Sequence, residues 1–493
     1  MDIHEHSANC ELVIGIVSPV GINLDDVHNR IESLFKQFNY KINLIHLSKL
    51  GNSYGDPLRE GASELERLDN GMNNGKLLRE KYNRDDFYAL LAIDAIYKLR
   101  EKDVTSTAPL FRNVHLIRSL KNPDEVETLR NVYGDGFFLI GVSSSIENRK
   151  RYLENLKGIP KEELDRLISR DDKESADHGQ RTRDVFQMAD AFVTTDDAER
   201  LSDQLSRILN LLFSNPLTPP TAEEYAMFMA YAASLRSADL SRQVGAVISS
   251  TSGDIVSTGA NDVPKFGGGL YWPDAEDKRD YRLGKDFNEA EKQKIIIKIM
   301  KKLPGNEELS DEELIENGRH ALKDTGLLDI TEYGRAVHAE MEAILSAGRN
   351  GVSVKGATLY TTTYPCHNCA KHIVAAGISR VKYVEPYPKS YATMLHDDSI
   401  DAESSSKANK AKQTKVKFEP FVGIGPRKFV DLFSMNLSSG RKIKRKDKGN
   451  VISWARRDAE LRVPMRPLSY LDAEIILVNE LASITEMEAQ EAK

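Results

Sequence analysis

The sequence predicts an α/β protein of two domains in series, the first of them a doubly wound parallel sheet. Three observations lead there. At 493 residues the chain exceeds what one ordinary core organises. From Glu11 to Phe213, the runs ELVIGIVSPV, YKINLIHLS, NVHLIRSL, GFFLIGVSS and AFVTT alternate with charged stretches of helical spacing. Apolar runs of strand length without polar alternation are strands buried on both faces, and helices between them supply the crossovers of a parallel sheet. Finally, SNPLTPPT (214–221) interrupts the alternation with prolines, which cannot continue a helix or donate to a sheet, and marks a linker.

Within the first domain, residues 1–213, NPDEVETLRNVYG is expected to be a helix. Asn122 is its N-cap, and Pro123 takes the first helical position, where no N–H is needed. Residues 222–475 form the second domain. AEEYAMFMAYAASLR is its opening helix, and QVGAVISS with DIVSTGAND reads as strand, turn, strand. A highly charged segment at about 272–330, most helical in EAEKQKIIIKIMKKL, is an insertion, since the elements flanking it belong to one small α/β unit. That unit continues with AVHAEMEAILSAG (helix), GATLYTTTY (strand), PCHNCAKHIVAAG (helix) and RVKYVEPY (strand). DAESSSKANKAKQTK is polar enough to be a mobile loop. VKFEPFVGIG follows, and residues 476–493 are a helical tail.

Composition excludes several classes. A net charge of -7 argues against a surface that grips nucleic acid throughout, so no DNA substrate is expected. No run approaches the roughly 18 apolar residues of a membrane helix, and MDIHEHSANC has no apolar centre of signal-peptide length. The chain has 3 cysteines, too few for a disulfide framework, so a reducing cytoplasm is the expected location.

Two of those cysteines, Cys366 and Cys369, stand together in YPCHNCAKH. A redox dithiol, a structural metal or cluster site, and a catalytic metal site all use C-x-x-C at a helix start. A four-thiolate site is excluded by counting, because Cys10 lies in the other domain. Upstream, AVHAEMEAIL places His338 and Glu340 at the start of a helix, and H-x-E followed by P-C-x-x-C is the signature of zinc deaminases. Two soft thiolates and an imidazole favour zinc, one ion per chain, and three protein ligands leave a fourth tetrahedral position for water. Zinc lowers the pKa of such a water to about 7. The N-terminal helix dipole helps keep Cys366 and Cys369 as thiolates. Glu340, two residues past the ligand, is placed to carry protons from the water to the ring nitrogen and the leaving amine.

SRQVGAVISSTSGDIVSTGAND, VHAEMEAIL and TTTYPCHNCAKHIVAAGISRVKYVEPYPKS resemble the deoxycytidylate deaminase family. The resemblance implies a cytidine-deaminase-like α/β/α domain in which Asn261 binds the sugar and Ala339 offers its backbone to the base. Glu342 stands where many members have asparagine, and compact members lack the insertion after Trp272. HLIRSLKNPDEVETLRNVYGDGFFLIGV, GQRTRDVFQMADAFV, KRDYRLGKDFN, EPYPKS and FVGIGPRKFVDLF resemble, over nearly the whole chain, bacterial deoxycytidine-nucleotide deaminases of phage defence. That likeness implies an N-terminal nucleotide-kinase-like domain and conversion of dCTP, and often dCMP, to uracil nucleotides. It also implies homo-oligomers and, in some members, restraint by a small RNA. A nucleic-acid deaminase of the tRNA-editing type, a riboflavin-pathway deaminase and a catalytically silent nucleotide-sensing protein are the competing readings.

In the first domain, GIVSPVGINLDD follows the first strand where a phosphate-binding loop would stand. With Gly21 aligned to the last glycine of G-x-x-x-x-G-K-[ST], Ile16 replaces the first glycine, Ile22 the lysine and Asn23 the hydroxyl residue, so phosphoryl transfer is not expected. Gly15, Gly21 and Asn23 are the candidate nucleotide-binding residues of this degenerate loop, against a glycine-bearing turn with no ligand. Arg242 and Lys265 bracket the sugar-binding turn as candidates for neutralising phosphate. His367 is a candidate substrate contact and His372 a surface residue. Cys10 is expected to be a thiol in a mobile N-terminus. RKIKRKDKG (441–449) reads as a solvated basic hairpin or a polyanion site.

Overall fold

The structure is a computed structural model that describes residues 9–55, 61–103, 108–172, 178–323, 325–385, 390–402, 414–437, 442–463 and 467–491. The chain divides into two compact units, Met1–Tyr225 with Pro420–Lys493, and Ala226–Ala402 with Gln413–Glu419. The first boundary falls between Tyr225 and Ala226, just beyond the proline-rich stretch.

All five expected strands of the first unit form: β1 (Leu12–Val17), β2 (Lys41–His46), β3 (Asn113–Arg118), β4 (Phe137–Ser143) and β5 (Ala191–Thr194). They are parallel to their neighbours, in the order β2-β3-β1-β4-β5. Central β1 and β4 are buried along nearly their whole length. The sequence reading errs at β2, whose residues are half-buried or exposed except Ile45. It is an edge strand, covered on one side only, and its apolar run resembles that of a central strand.

Helices fill the crossovers. Helix α1 (Leu24–Gln37) follows β1, α2 (Phe87–Asp103) precedes β3, and α3 (Pro123–Tyr133) joins β3 to β4. The start of α3 is as expected. The Asn122 side chain accepts from Asp124 N, and Glu125 reaches back to the Asn122 N–H, a reciprocal cap.

Two expectations fail in this unit. Residues beyond Pro420 belong here and not to the second unit. The short strand Gly423–Ile424 extends the sheet antiparallel to β5, and the C-terminal helix Pro467–Glu491 packs on α2. Arg100 explains the return: fully buried, it holds Glu11 of the chain's start and Glu474 of its last helix, while Tyr470 donates to Glu11 at 3.0 Å. Sequence periodicity carries no sign of so distant a partnership. Cys10 is buried at 0% exposure, because Asn9 and Cys10 are drawn in by Arg112 and Tyr40, which donate to their carbonyls. In the expected basic hairpin, Lys442 and residues 444–449 are exposed, with Lys446–Asp447 paired antiparallel to Asn450–Val451. Residues 403–413, the polar stretch, lie outside the described residues.

The second unit contains helix α4 (Ala222–Ser234, carrying the boundary), β6 (Gly245–Ser249), β7 (Ile255–Ala260), α5 (Phe287–Met300), α6 (Asp311–Ala321), α7 (Ala339–Arg349), β8 (Thr358–Thr363), α8 (His367–Ala375), β9 (Arg380–Glu385), β10 (Ile400–Asp401) and β11 (Val416–Pro420). Its sheet runs β10-β11-β9-β8-β6-β7, with β6 antiparallel to both neighbours and β8 parallel to β9. One core cluster joins β6, β8 and β9 to α7 and α8 through Ala246, Ile248, Ala343, Leu359, Cys369, Ile373 and Val381. The insertion folds as α5 and α6 around a small cluster of its own, Ile296, Met300 and Leu314. Helix α6 starts at a capping box of Ser310 and Glu313.

Candidate metal centre

Two helix starts make the centre. His338 is the N-cap residue of α7 and Cys366 that of α8, both in extended backbone, with Glu340 and Cys369 in the first turns that follow. Helix α7 lies directly on β7, because Gly259 has no side chain to hold it off. Helix α8 follows β8 without a gap in the core, and its Pro365 carbonyl accepts from the Ser390 hydroxyl at 2.7 Å.

His338 Nδ1 lies 3.4 Å from Cys366 Sγ and 3.4 Å from Cys369 Sγ. The three ligand atoms lie within 4.8 Å of one another, and neither cysteine is in a disulfide. Bonds of about 2.0 Å to nitrogen and 2.3 Å to sulfur at a tetrahedral angle require a nitrogen–sulfur separation of about 3.5 Å. The donor set therefore fits Zn²⁺ in both chemistry and spacing. Glu340 is buried, with Oε2 at 3.2 Å from Cys369 Sγ.

The local electrostatics follow from that crowding. A hydrogen bond from the Cys369 thiol, aided by His338, holds the Cys366 thiol down at about 3. Cys369 is pushed well up, first by its bond to Cys366 and then by burial. His338 is raised, chiefly by Cys366. Burial, then the Cys366 charge, raises Glu340 and favours its protonated form.

The centre opens on a cavity of about 750 Å³. His338, Glu340 and Cys366 line it, and so do the expected Asn261, Ala339, Arg242 and His367. The Asn261 amide is also in structural use: its Oδ1 accepts from Val244 N at 2.7 Å and its Nδ2 donates to the Arg242 carbonyl at 2.8 Å. Lys265 is held elsewhere, by Glu276 at 2.9 Å. His372 is exposed and bonds the Asn368 carbonyl within its own helix. Glu342 is buried and paired with Arg349, away from the cavity lining.

Sequence reasoning missed one whole wall. Asn288 and Lys292 of the insertion, and Thr331 and Arg335 just after it, line the same cavity, as does Tyr391 after β9. No periodicity signals that a charged insertion will fold back over a metal centre. From KRDYRLGKDFN, the residues Arg279, Asp280, Asp286 and Asn288 line the cavity, and Arg279 is buried against Asp277 and Asp262.

In the first unit, the candidate loop residues have structural partners. A β-carbon at Gly15 would lie 2.7 Å from Leu120 and 2.9 Å from Phe137. Gly21 has φ +92, in the left-handed region, and Asn23 caps α1 through Asp26 N. Val20 N donates to the Asp171 carboxylate at 2.7 Å, and Lys121 Nζ meets the other Asp171 oxygen at 2.6 Å. An internal carboxylate thus takes an amide of this loop.

Residues 220–385 match the family of the cytidine and deoxycytidylate deaminase zinc-binding region. The matched residues include His338, Glu340, Cys366 and Cys369. The chain is 39% identical over 90 residues to the deoxycytidylate deaminase of Enterobacteria phage T4, covering 18% of this chain and 47% of that protein. It is 46% identical over 74 residues to ComE operon protein 2 of Bacillus subtilis (strain 168), covering 15% and 39%. The chain thus spans about half the length, or less, of these curated relatives. Crystal structures of a dCMP deaminase from the cyanophage S-TIM5 align at 17% identity in the apo form, with TM-score 0.23, over 41% of this chain and 98% of that one. No described helix is long and apolar enough to cross a membrane.

Proposed function

We propose that the protein is a zinc-dependent hydrolytic deaminase that converts deoxycytidine nucleotides, dCMP and dCTP, to deoxyuridine nucleotides. The observation that carries this reading is the imidazole and two sulfurs at zinc spacing beside the buried Glu340 carboxyl, all at one cavity.

A zinc ion held by His338, Cys366 and Cys369 supplies Lewis acidity that makes water a nucleophile near neutral pH. Glu340 does the proton work. Its carboxylate takes a proton from the attacking water, passes it to the ring nitrogen of cytosine, and delivers a proton to the amine that leaves as ammonia. Water adds at C4, the C4–N bond breaks, and uracil remains, so atoms balance as nucleotide plus water giving product plus ammonia. The raised proton affinity of Glu340 suits a group that must hold the proton between the two transfers. The Ala339 backbone faces the base, and Asn261 places the deoxyribose while fixing the turn at residues 242–244.

By its resemblance to phage-defence deaminases, the enzyme depletes dCTP and stalls phage DNA synthesis, assembles as a homo-oligomer and answers to a small RNA. The first unit is the kinase-like, nucleotide-sensing part of that design. Incubating the purified chain with dCTP, dCMP, CTP and a cytosine-bearing oligonucleotide, and following ammonia, tests the reading. Release from the deoxynucleotides supports it; release from the oligonucleotide alone, or from none, overturns it.

A further inference from the structure

We infer that Lys292 of the inserted segment and Arg335 just after it take the phosphate tail of the substrate, so that this wall sets how many phosphates the enzyme accepts. The inference rests on the deaminase reading above and deepens it.

The reacting carbon has to reach Glu340 and the Cys366–Cys369 pair. That end of the cavity is taken by the base, and the phosphates stand at the opposite end of the nucleotide, across the sugar. The tail must therefore run along other lining residues. The described lining offers Arg242, Arg279, Lys292 and Arg335 as cations. Arg279 is spent: its side chain is 5% exposed and bound to both Asp262 and Asp277. Arg242 is paired with Glu385 at 3.1 Å, and its side chain is 46% exposed. The insertion and the residues just after it supply the remaining two.

Lys292 shares its carboxylate partner. Glu289 accepts from Lys292 at 3.0 Å and also holds Arg319, so this carboxylate is divided between two cations. The other contact of Lys292 is a neutral one, the Leu328 carbonyl at 3.2 Å. Arg335 bonds Asp280 at 2.7 Å and the Lys278 carbonyl at 3.0 Å, leaving part of its fork, with the side chain 30% exposed, for a second anion. A guanidinium fork and a compact ammonium are the usual partners of phosphate oxygens.

Asp262 joins the first stretch of this wall to the residue before the metal-centre imidazole. Its carboxylate holds Arg279 at 3.0 Å, and its backbone exchanges hydrogen bonds with Val337, the residue before His338, at 3.3 and 3.0 Å. Arg279, near the start of the insertion, and Val337, after its end, are thus both held by Asp262, just beyond β7. A cation at a set distance from the reacting carbon is what discrimination among phosphate counts requires.

The test is steady-state deamination of deoxycytidine, dCMP, dCDP and dCTP by the full chain and by Lys292→Ala, Lys292→Arg and Arg335→Ala, with zinc content measured for each. For Lys292→Ala the expected result is a fall in kcat/KM that grows with phosphate number, reaching at least tenfold for dCTP through KM, and recovery of the gradient in Lys292→Arg. Equal losses on all four substrates, or none, at full zinc content would overturn the inference while leaving the deaminase reading intact. Wild-type protein inactive on all four would overturn that reading instead.

Discussion

A β-carbon on Gly259 would lie 2.1 Å from the carbonyl oxygen of Ala339. Strand β7 and the first turn of α7 therefore touch backbone to backbone, at the residue between His338 and Glu340. Gly259→Ala is expected to push α7 away from the sheet and move both residues relative to Cys366 and Cys369. Overpacking of this kind costs about 1–3 kcal/mol or more. Thermal melting should show a lower Tm, with zinc content falling alongside it; a variant with unchanged Tm and full zinc would show that the contact positions nothing.

The role proposed for Glu340 separates proton transfer from metal holding. Glu340→Gln keeps the shape and removes the exchangeable proton, so deamination should fall by about 10²–10⁴-fold while bound zinc stays at the wild-type level. Metal analysis beside initial rates decides it. Zinc lost in step with activity would make Glu340 a ligand or a folding residue.

Metal removal should abolish turnover and loosen the second unit. Because the ion binds the folded chain, its loss lowers apparent stability by mass action. Dialysis against a chelator should lower Tm and activity together, with recovery on adding Zn²⁺. His338→Ala should behave as the chelated protein does and gain nothing from added zinc.

The buried network around Arg100 gives stability a pH dependence. Burial alone would raise Glu11, but His115 and Arg100 outweigh it and hold its carboxyl at about 2, below the usual 4.5. A depressed carboxylate contributes stability that is present above about pH 4.5 and is lost as pH falls toward 2. Glu474 shifts the other way, since burial outweighs its bond to Arg100, and that opposes part of the loss. Glu11→Gln is expected to cost about 3–5 kcal/mol in urea unfolding at neutral pH, the toll of breaking a buried pair. That difference should shrink steadily as pH drops from about 4.5 to 2. A pH-independent difference would mean that packing, not charge, ties Glu11 to Arg100.

Much of the chemistry was legible because it is local. His338 with Glu340, and Cys366 with Cys369, each sit within one helix start, so residue type and spacing place them on the same turn. The strands of the first unit were legible for the same reason, apolar runs of strand length between helical stretches. Edge strand β2 was misread because an apolar run does not say how many neighbours the strand will have. The buried start at Cys10 and the return of the C-terminal helix were missed because Arg100 joins Glu11 to Glu474 across most of the chain.

By itself the sequence pointed to the candidate donor atoms of the metal centre, the carboxyl group beside them and the α/β character of both units, since each depends on residue identity and on periods of two to four residues. Tertiary structure decided what stands around that centre: the backbone contact of Gly259 with Ala339, the Asp262–Arg279 pair and the charged wall that includes Lys292 and Arg335. Those arise from contacts between segments far apart in the chain, whose pairing is fixed by shape and burial rather than by any repeat in the sequence.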